Sequence, residues 1–222
     1  MVDTDKMTAK IIDNFIQGGR DKMEKKAALI LVDVQNDFCP GGTLAVKDGD
    51  RVVEPLNRMV DFALKNGWFV IASRDWHPRR TRHFREFGGL WPEHCVQGTH
   101  GSHFHPELKV DNAIIVSKGM DPEDDGGYSA FDGKTSSGKS LLDVLREAGV
   151  EEVYVGGLAT DYCVKATALS AVQAGFKTYF LADGSMAVNI QPNDGAKAVE
   201  EMVRSRVISL SIETFLMFRD RN

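Results

Sequence analysis

The 222-residue chain carries 27 lysines and arginines against 32 acidic residues, for a formal net charge of -5, and hydrophobic types make up 42% of it. That is enough apolar material for a sizeable buried core, while the acidic balance offers no footprint for gripping a phosphate backbone or an anionic lipid surface, so no nucleic-acid or membrane partner is expected. Three cysteines, Cys39, Cys95 and Cys163, cannot close a disulfide framework, and neither a secretory signal nor an apolar run of membrane-spanning length is visible, which points to a reducing, cytoplasmic setting.

Residues 1–26 read as an N-terminal arm, in which Ile11, Ile12, Phe15 and Ile16 share one helical face over 8–16 before a polar GlyGlyArgAspLys linker. A packing role and an oligomer contact are both open for it, and with them the question of a homo-oligomer. Residues 27–222 read as a single domain. Short apolar runs rich in β-branched residues, at 28–34, 68–73, 113–117, 152–156, 177–182 and 206–210, are expected strands. They are separated by amphipathic stretches of helical length at 51–66, 138–148, 161–174 and 194–204. This alternation predicts a three-layer α/β/α domain around a six-stranded, mainly parallel sheet.

Two segments, 75–112 and 119–137, are far longer than ordinary connections, and both follow expected strands. The first holds Trp76, Phe84, Phe87, Trp91 and all six histidines, a composition too aromatic for disorder, so it is expected to wall a site.

Ligands of open parallel sheets bind beyond the carboxyl ends of the strands. Four consecutive strands deliver reactive groups to that edge: Asp33 closes the first, Arg74 and Asp75 the second and Lys118 the third, and Cys163 lies in the first helical turn after the fourth. A helix N-terminus and a nearby ammonium both favour a thiolate, Asp33 is placed to take the thiol proton, and the amides near Ala159 and Cys163 are candidates to receive an oxyanion. The plainer alternatives are a packing cysteine, a capping aspartate and a solvated lysine. Asp75 and His77, two residues apart, with His83 and His94 in the same loop, form a mixed oxygen and nitrogen set suited to zinc, iron or manganese, or else a group of solvated, hydrogen-bonded histidines. His100, His103 and His105 read as part of a polar surface loop.

These residues stand within longer motifs: ValAspValGlnAsnAspPheCysProGlyGly at 32–42, ArgAspTrpHis at 74–77, TrpProGluHisCysValGlnGlyThr at 91–99, SerLysGly at 117–119, TyrSerAlaPhe at 128–131 and GlyLeuAlaThrAspTyrCysVal at 157–164. In this order they resemble the isochorismatase-like hydrolases, and within them the nicotinamidase branch. The resemblance implies Asp33, Lys118 and Cys163 as the catalytic triad, with Ala159 and Cys163 as the oxyanion hole. It implies Asp75, His77 and His94 as ligands of one divalent metal ion, Zn2+ first and Fe2+ or Mn2+ as alternatives, while His83 falls where some members use a further histidine ligand and others do not. Phe38 and Trp91 match residues that sandwich a pyridine ring, Tyr128 a pocket wall, and Leu158-Ala159 a cis peptide.

The implied reaction is hydrolysis of nicotinamide to nicotinic acid and ammonia through a cysteine thioester, with pyrazinamide also accepted and the product feeding NAD resynthesis. The alternatives are an N-carbamoyl or ureido hydrolase of the same fold, an isochorismatase opening a vinyl ether, and a non-catalytic binding protein. The vinyl ether reaction needs neither thiol nor metal, so the retention of both sets argues against it. The arm, the acidic stretch at 119–127 and Tyr162 beside the nucleophile depart from the family pattern.

Overall fold

The computed structural model describes residues 26–123 and 126–219. The expected arm helix at 8–16 lies outside the described residues. The sheet has six strands, β1 (Ala27–Val32), β2 (Phe69–Asp75), β3 (Ile114–Lys118), β4 (Glu152–Leu158), β5 (Lys177–Met186) and β6 (Ile208–Leu210). Their order is β3-β2-β1-β4-β5-β6, and every pairing is parallel, so the expected "mainly parallel" sheet is wholly so. All six residues of β1 are buried, as a central strand covered on both faces requires.

Two cores follow from the alternation of side chains along the strands. Ala28, Ile30 and Val32 of β1 face one layer, built from α2 (Leu141–Glu147), α3 (Lys165–Gln173) and α4 (Asp194–Arg204). Leu29 and Leu31 face the other, built from α1 (Val53–Lys65) and α5 (Ile212–Arg219). Helix α1 buries Val53, Leu56, Met59, Val60 and Ala63, a single stripe at helical spacing. Helix α2 starts at Ser140, whose side chain accepts from the Asp143 amide, and this cap trims the expected helix at 138–148 to 141–147.

The strand order reverses between β1 and β4. Such a switch point opens a crevice at the carboxyl edge of the sheet, because the connections leaving the two central strands run to opposite sides. At this edge Val32 pairs with Gly157, whose φ of +130° and close approach to the Val32 backbone leave no room for a side chain. Among the described residues no helix is long and apolar enough to cross a membrane.

Helix α5 was not expected from sequence, because its residues IETFLMFR are apolar around the helix instead of along one stripe. Strand β5 runs past its expected end at 182 to Met186, and Asp183 within it caps α5: its carboxylate accepts from the Ile212 amide at 2.7 Å, the Glu213 amide at 3.1 Å and the Ser211 hydroxyl at 2.9 Å. Partial burial raises the Asp183 pKa, but these hydrogen bonds outweigh it and hold the carboxyl below its usual value of 3.8. A depressed folded-state pKa contributes stability above the unfolded value that is lost as pH falls through the folded one. Asp183→Ala should therefore cost about 1 kcal/mol at pH 7 in denaturant unfolding, and the gap to wild type should close below about pH 4.

Candidate active site

The site begins where β1 ends. Asp33 has φ +49°, so the chain leaves the extended conformation there and its carboxylate turns into the crevice, wholly buried. The Ser73 hydroxyl donates to Asp33 Oδ1 at 2.6 Å. Lys118, at the end of β3 and buried as fully as any core residue, reaches Asp33 Oδ2 at 3.0 Å, contacts Asp75 Oδ1, and donates to Cys163 Sγ at 3.7 Å. Asp33, Asp75 and Cys163, which sequence placed at the ends of three strands, therefore meet around the ammonium that a fourth delivers.

Burial drives the electrostatics. It pushes the Asp33 carboxyl up, with the Lys118 ammonium opposing. Asp75 feels the same burial, but the Lys118 ammonium overcomes it and holds its carboxyl well below 3.8. Burial acts on Lys118 as well, yet Asp33 and Asp75 outweigh it and keep the amine charged.

Cys163 corrects an expectation. It does not stand in the first turn of an α-helix but in a π-helical turn, Thr160–Val164, that precedes α3. Burial there pushes the thiol well above 9.0 despite Lys118. Burial thus favours the thiol form of Cys163, with the Asp33 carboxyl, itself pushed up by burial, sharing the Lys118 ammonium with it. The bond between Leu158 and Ala159 is cis. Arg74 faces away from this group: its guanidinium donates to Ser117 Oγ at 2.9 Å and lies 3.7 Å over the Trp76 ring.

Asp75 also faces the histidines. Its Oδ2 lies 3.7 Å from His77 Nε2 and 3.8 Å from His94 Nε2. One nitrogen each from His77, His83 and His94 lies within 4.8 Å of the others, and all three rings are buried. His77 Nδ1 is 3.0 Å from the Gly119 carbonyl and His94 Nδ1 2.8 Å from the Pro92 carbonyl. A carbonyl only accepts, so each Nδ1 carries the proton and each Nε2 turns a lone pair inward, as in metal-ligating histidines.

His77 Nε2 is buried without a hydrogen-bond partner, and a Cβ at Gly119 or Gly126 would overlap the His77 or His83 ring. An orphaned lone pair, three convergent imidazoles and a carboxylate fit a divalent metal ion. His83, which sequence could not assign, belongs to the histidine cluster. His100 and His103 are exposed and His105 half-buried, and His105 Nδ1 accepts locally from the Glu107 amide, which fits the surface-loop reading.

A cavity opens over this floor, lined among others by Phe38, Asp75, His83, Trp91, His94, Tyr128, Ala159, Tyr162 and Cys163. Asp33, Lys118 and His77 sit one layer behind its wall. Trp91 Nε1 donates to the Tyr128 hydroxyl at 3.1 Å, and the Trp91 and Tyr162 rings meet edge to face at 5.5 Å. The aliphatic wall of Leu44, Val46, Leu158 and Val188 was not singled out from sequence, since its members come from three separate loops and strand ends and carry no reactive group.

The chain matches the model of the isochorismatase domain over residues 27–211. It is 44% identical over 191 residues to a nicotinamidase of Escherichia coli, covering 79% of this chain and 90% of that protein. It is 40% identical over 178 residues to a nicotinamidase/pyrazinamidase of Mycobacterium tuberculosis, covering 79% and 93%. Its structure is similar to that of a pyrazinamidase of Pyrococcus horikoshii in complex with zinc, with a TM-score of 0.77 and 41% identity over 84% of this chain and 99% of that one.

Gly126→Ala tests whether His83 takes part in metal binding. The added methyl should displace the ring and lower zinc affinity roughly 10- to 100-fold in chelator competition. Gly138 has a similar positive φ with nothing within 4 Å, so Gly138→Ala should leave affinity unchanged. Equal affinities for both variants would put His83 outside the ligand set.

Proposed function

The chain belongs to the isochorismatase family, and from that premise we propose that it hydrolyses nicotinamide to nicotinic acid and ammonia as a metal-dependent cysteine amidohydrolase, with pyrazinamide as a second substrate. The observation that carries the reading is the juxtaposition of two sets. The buried His77, His83 and His94 cluster lies against Asp75, and Asp75 shares Lys118 with Asp33 and Cys163. An N-carbamoyl or ureido hydrolase of this fold would need only the second set.

Asp75, His77, His83 and His94 would hold the metal, with Zn2+ the first candidate. When bound, the metal supplies a Lewis-acid anchor for the pyridine nitrogen. Phe38 and Trp91 would flank the ring in an apolar slot, with Tyr128 on the wall, and Cys163 lines the same cavity, where it would meet the carboxamide.

Asp33 takes the Cys163 proton as sulfur attacks the carbonyl carbon, a transfer suited to a carboxylate whose proton affinity burial has raised. Lys118 stabilises the charge as it passes from oxygen to sulfur, and the amides of Ala159 and Cys163 receive the oxyanion. Collapse of the tetrahedral species breaks the C–N bond, and Asp33 returns the proton to the departing ammonia. A water deprotonated by Asp33 then cleaves the thioester, releasing nicotinic acid and restoring the thiol. All three cysteines carry free thiols, which supports the proposed reducing, cytoplasmic setting.

Ammonia release from nicotinamide by the purified protein tests the proposal. Chelator stripping should abolish it and zinc, iron or manganese add-back restore it, and Cys163→Ala should lower kcat by roughly 10^4-fold or more. Absence of nicotinamide turnover by the metal-loaded protein, with release of ammonia from N-carbamoyl compounds instead, would overturn the substrate assignment.

A further inference from the structure

Gln35 is wholly buried, bears no reactive group, and spends its side-chain amide on backbone groups, chiefly those of one residue forty positions away. Its Oε1 accepts from the Asp75 amide at 2.7 Å, and its Nε2 donates to the Asp75 carbonyl at 2.8 Å and to the Ser102 carbonyl at 2.9 Å. Two of these three bonds, one as donor and one as acceptor, go to Asp75 at the end of β2.

The reason lies in the sheet. In a parallel ladder the amide and carbonyl of one residue point to the same neighbouring strand, alternating along the chain. Ser73 faces β1, since its carbonyl accepts from the Asp33 amide at 3.2 Å. Residues of the other parity turn to β3, as Trp76 does where its amide donates to the Lys118 carbonyl at 3.0 Å. Asp75 faces β1 again, but β1 is no longer there, because the left-handed turn at Asp33 has taken it out of the ladder. Two buried backbone groups would be left without partners, and Gln35, two residues past that turn, supplies a side-chain amide with the donor and acceptor of the missing strand.

We propose that Gln35 is a positioning residue for the site: its amide substitutes for the lost β1 rung and fixes the Asp75 backbone so that Oδ1 faces Lys118 and Oδ2 faces the histidines. The same turn that delivers Asp33 to the thiol thereby creates the need for Gln35, and Gln35 couples the triad to the ligand set. The inference rests on the proposed metal-binding reading. It concerns a residue that touches neither substrate nor metal.

Gln35→Met, of similar length but without the amide, is compared with wild type and with Asp183→Ala, a remote variant that lowers stability without touching the site. Co2+ binding is followed by its visible absorption and by competition with a chelator. Gln35→Met should bind Co2+ roughly 10- to 100-fold more weakly and with an altered spectrum, while Asp183→Ala keeps the wild-type affinity and spectrum. Gln35→Asn, which retains the amide but is too short to span to Asp75, should follow Gln35→Met and carries the test if the methionine variant does not fold.

Wild-type affinity and spectrum in the folded Gln35 variants would overturn the inference and leave the proposed function intact. Absence of Co2+ binding by wild type would remove the metal reading and this inference with it.

Discussion

The buried ammonium of Lys118 is the interaction on which the site depends. A lone cation in that position would be expelled or neutralised, and two lone carboxylates would repel each other or take up protons. Lys118, Asp33 and Asp75 are tolerable in the interior only as a set, with one positive charge between two negative ones and a thiol within reach. The set is also asymmetric. Asp75 is held firmly ionised and turned to the histidines, while Asp33 is pushed towards holding a proton. Two carboxylates of the same intrinsic acidity are thus set apart, which suits the two tasks the proposed mechanism gives them, Asp75 as an ionised ligand and Asp33 as a proton carrier.

Topology brings these groups together at low conformational cost. Each stands at or just beyond the end of a different strand, and the order reversal between β1 and β4 opens the crevice into which they converge. The rigid edge of a parallel sheet fixes the polar floor, whereas the cavity walls come from loops: Phe38 after β1, Trp91 and His94 from the long segment after β2, Tyr128 from the one after β3. Precise charge geometry sits on strands and shape sits on loops, which lets the pocket vary without disturbing the chemistry.

How much of this was legible in the sequence differs by residue. Asp33, Lys118 and Cys163 could be read because apolar β-branched runs mark strand ends and each residue follows one. The loop alone does not distinguish His77, His83 and His94 from solvated histidines; the family resemblance singles out His77 and His94, and His83 joins them through a ring packed 4.4 Å from that of His77. For Cys163 the sequence shows the nearness of a helix start and of Lys118, which favour the thiolate, but not the burial that opposes them and pushes the thiol up. Helix α5 lacked a stripe to announce it, and Gln35 gave no signal at all, since its partners are backbone groups exposed by a turn that only the folded chain reveals.

The covalent step is the point at which the chemistry is most exposed to test. Nicotinamide is mixed with metal-loaded protein, the reaction is acid-quenched within a turnover, and the protein is digested and its peptides weighed. A nicotinoyl group on the peptide bearing Cys163, present during turnover and absent once substrate is exhausted, is the expected result. Full turnover with no acylated Cys163 at any time, or nicotinoyl transfer to another residue, would contradict the thiol mechanism built around Lys118.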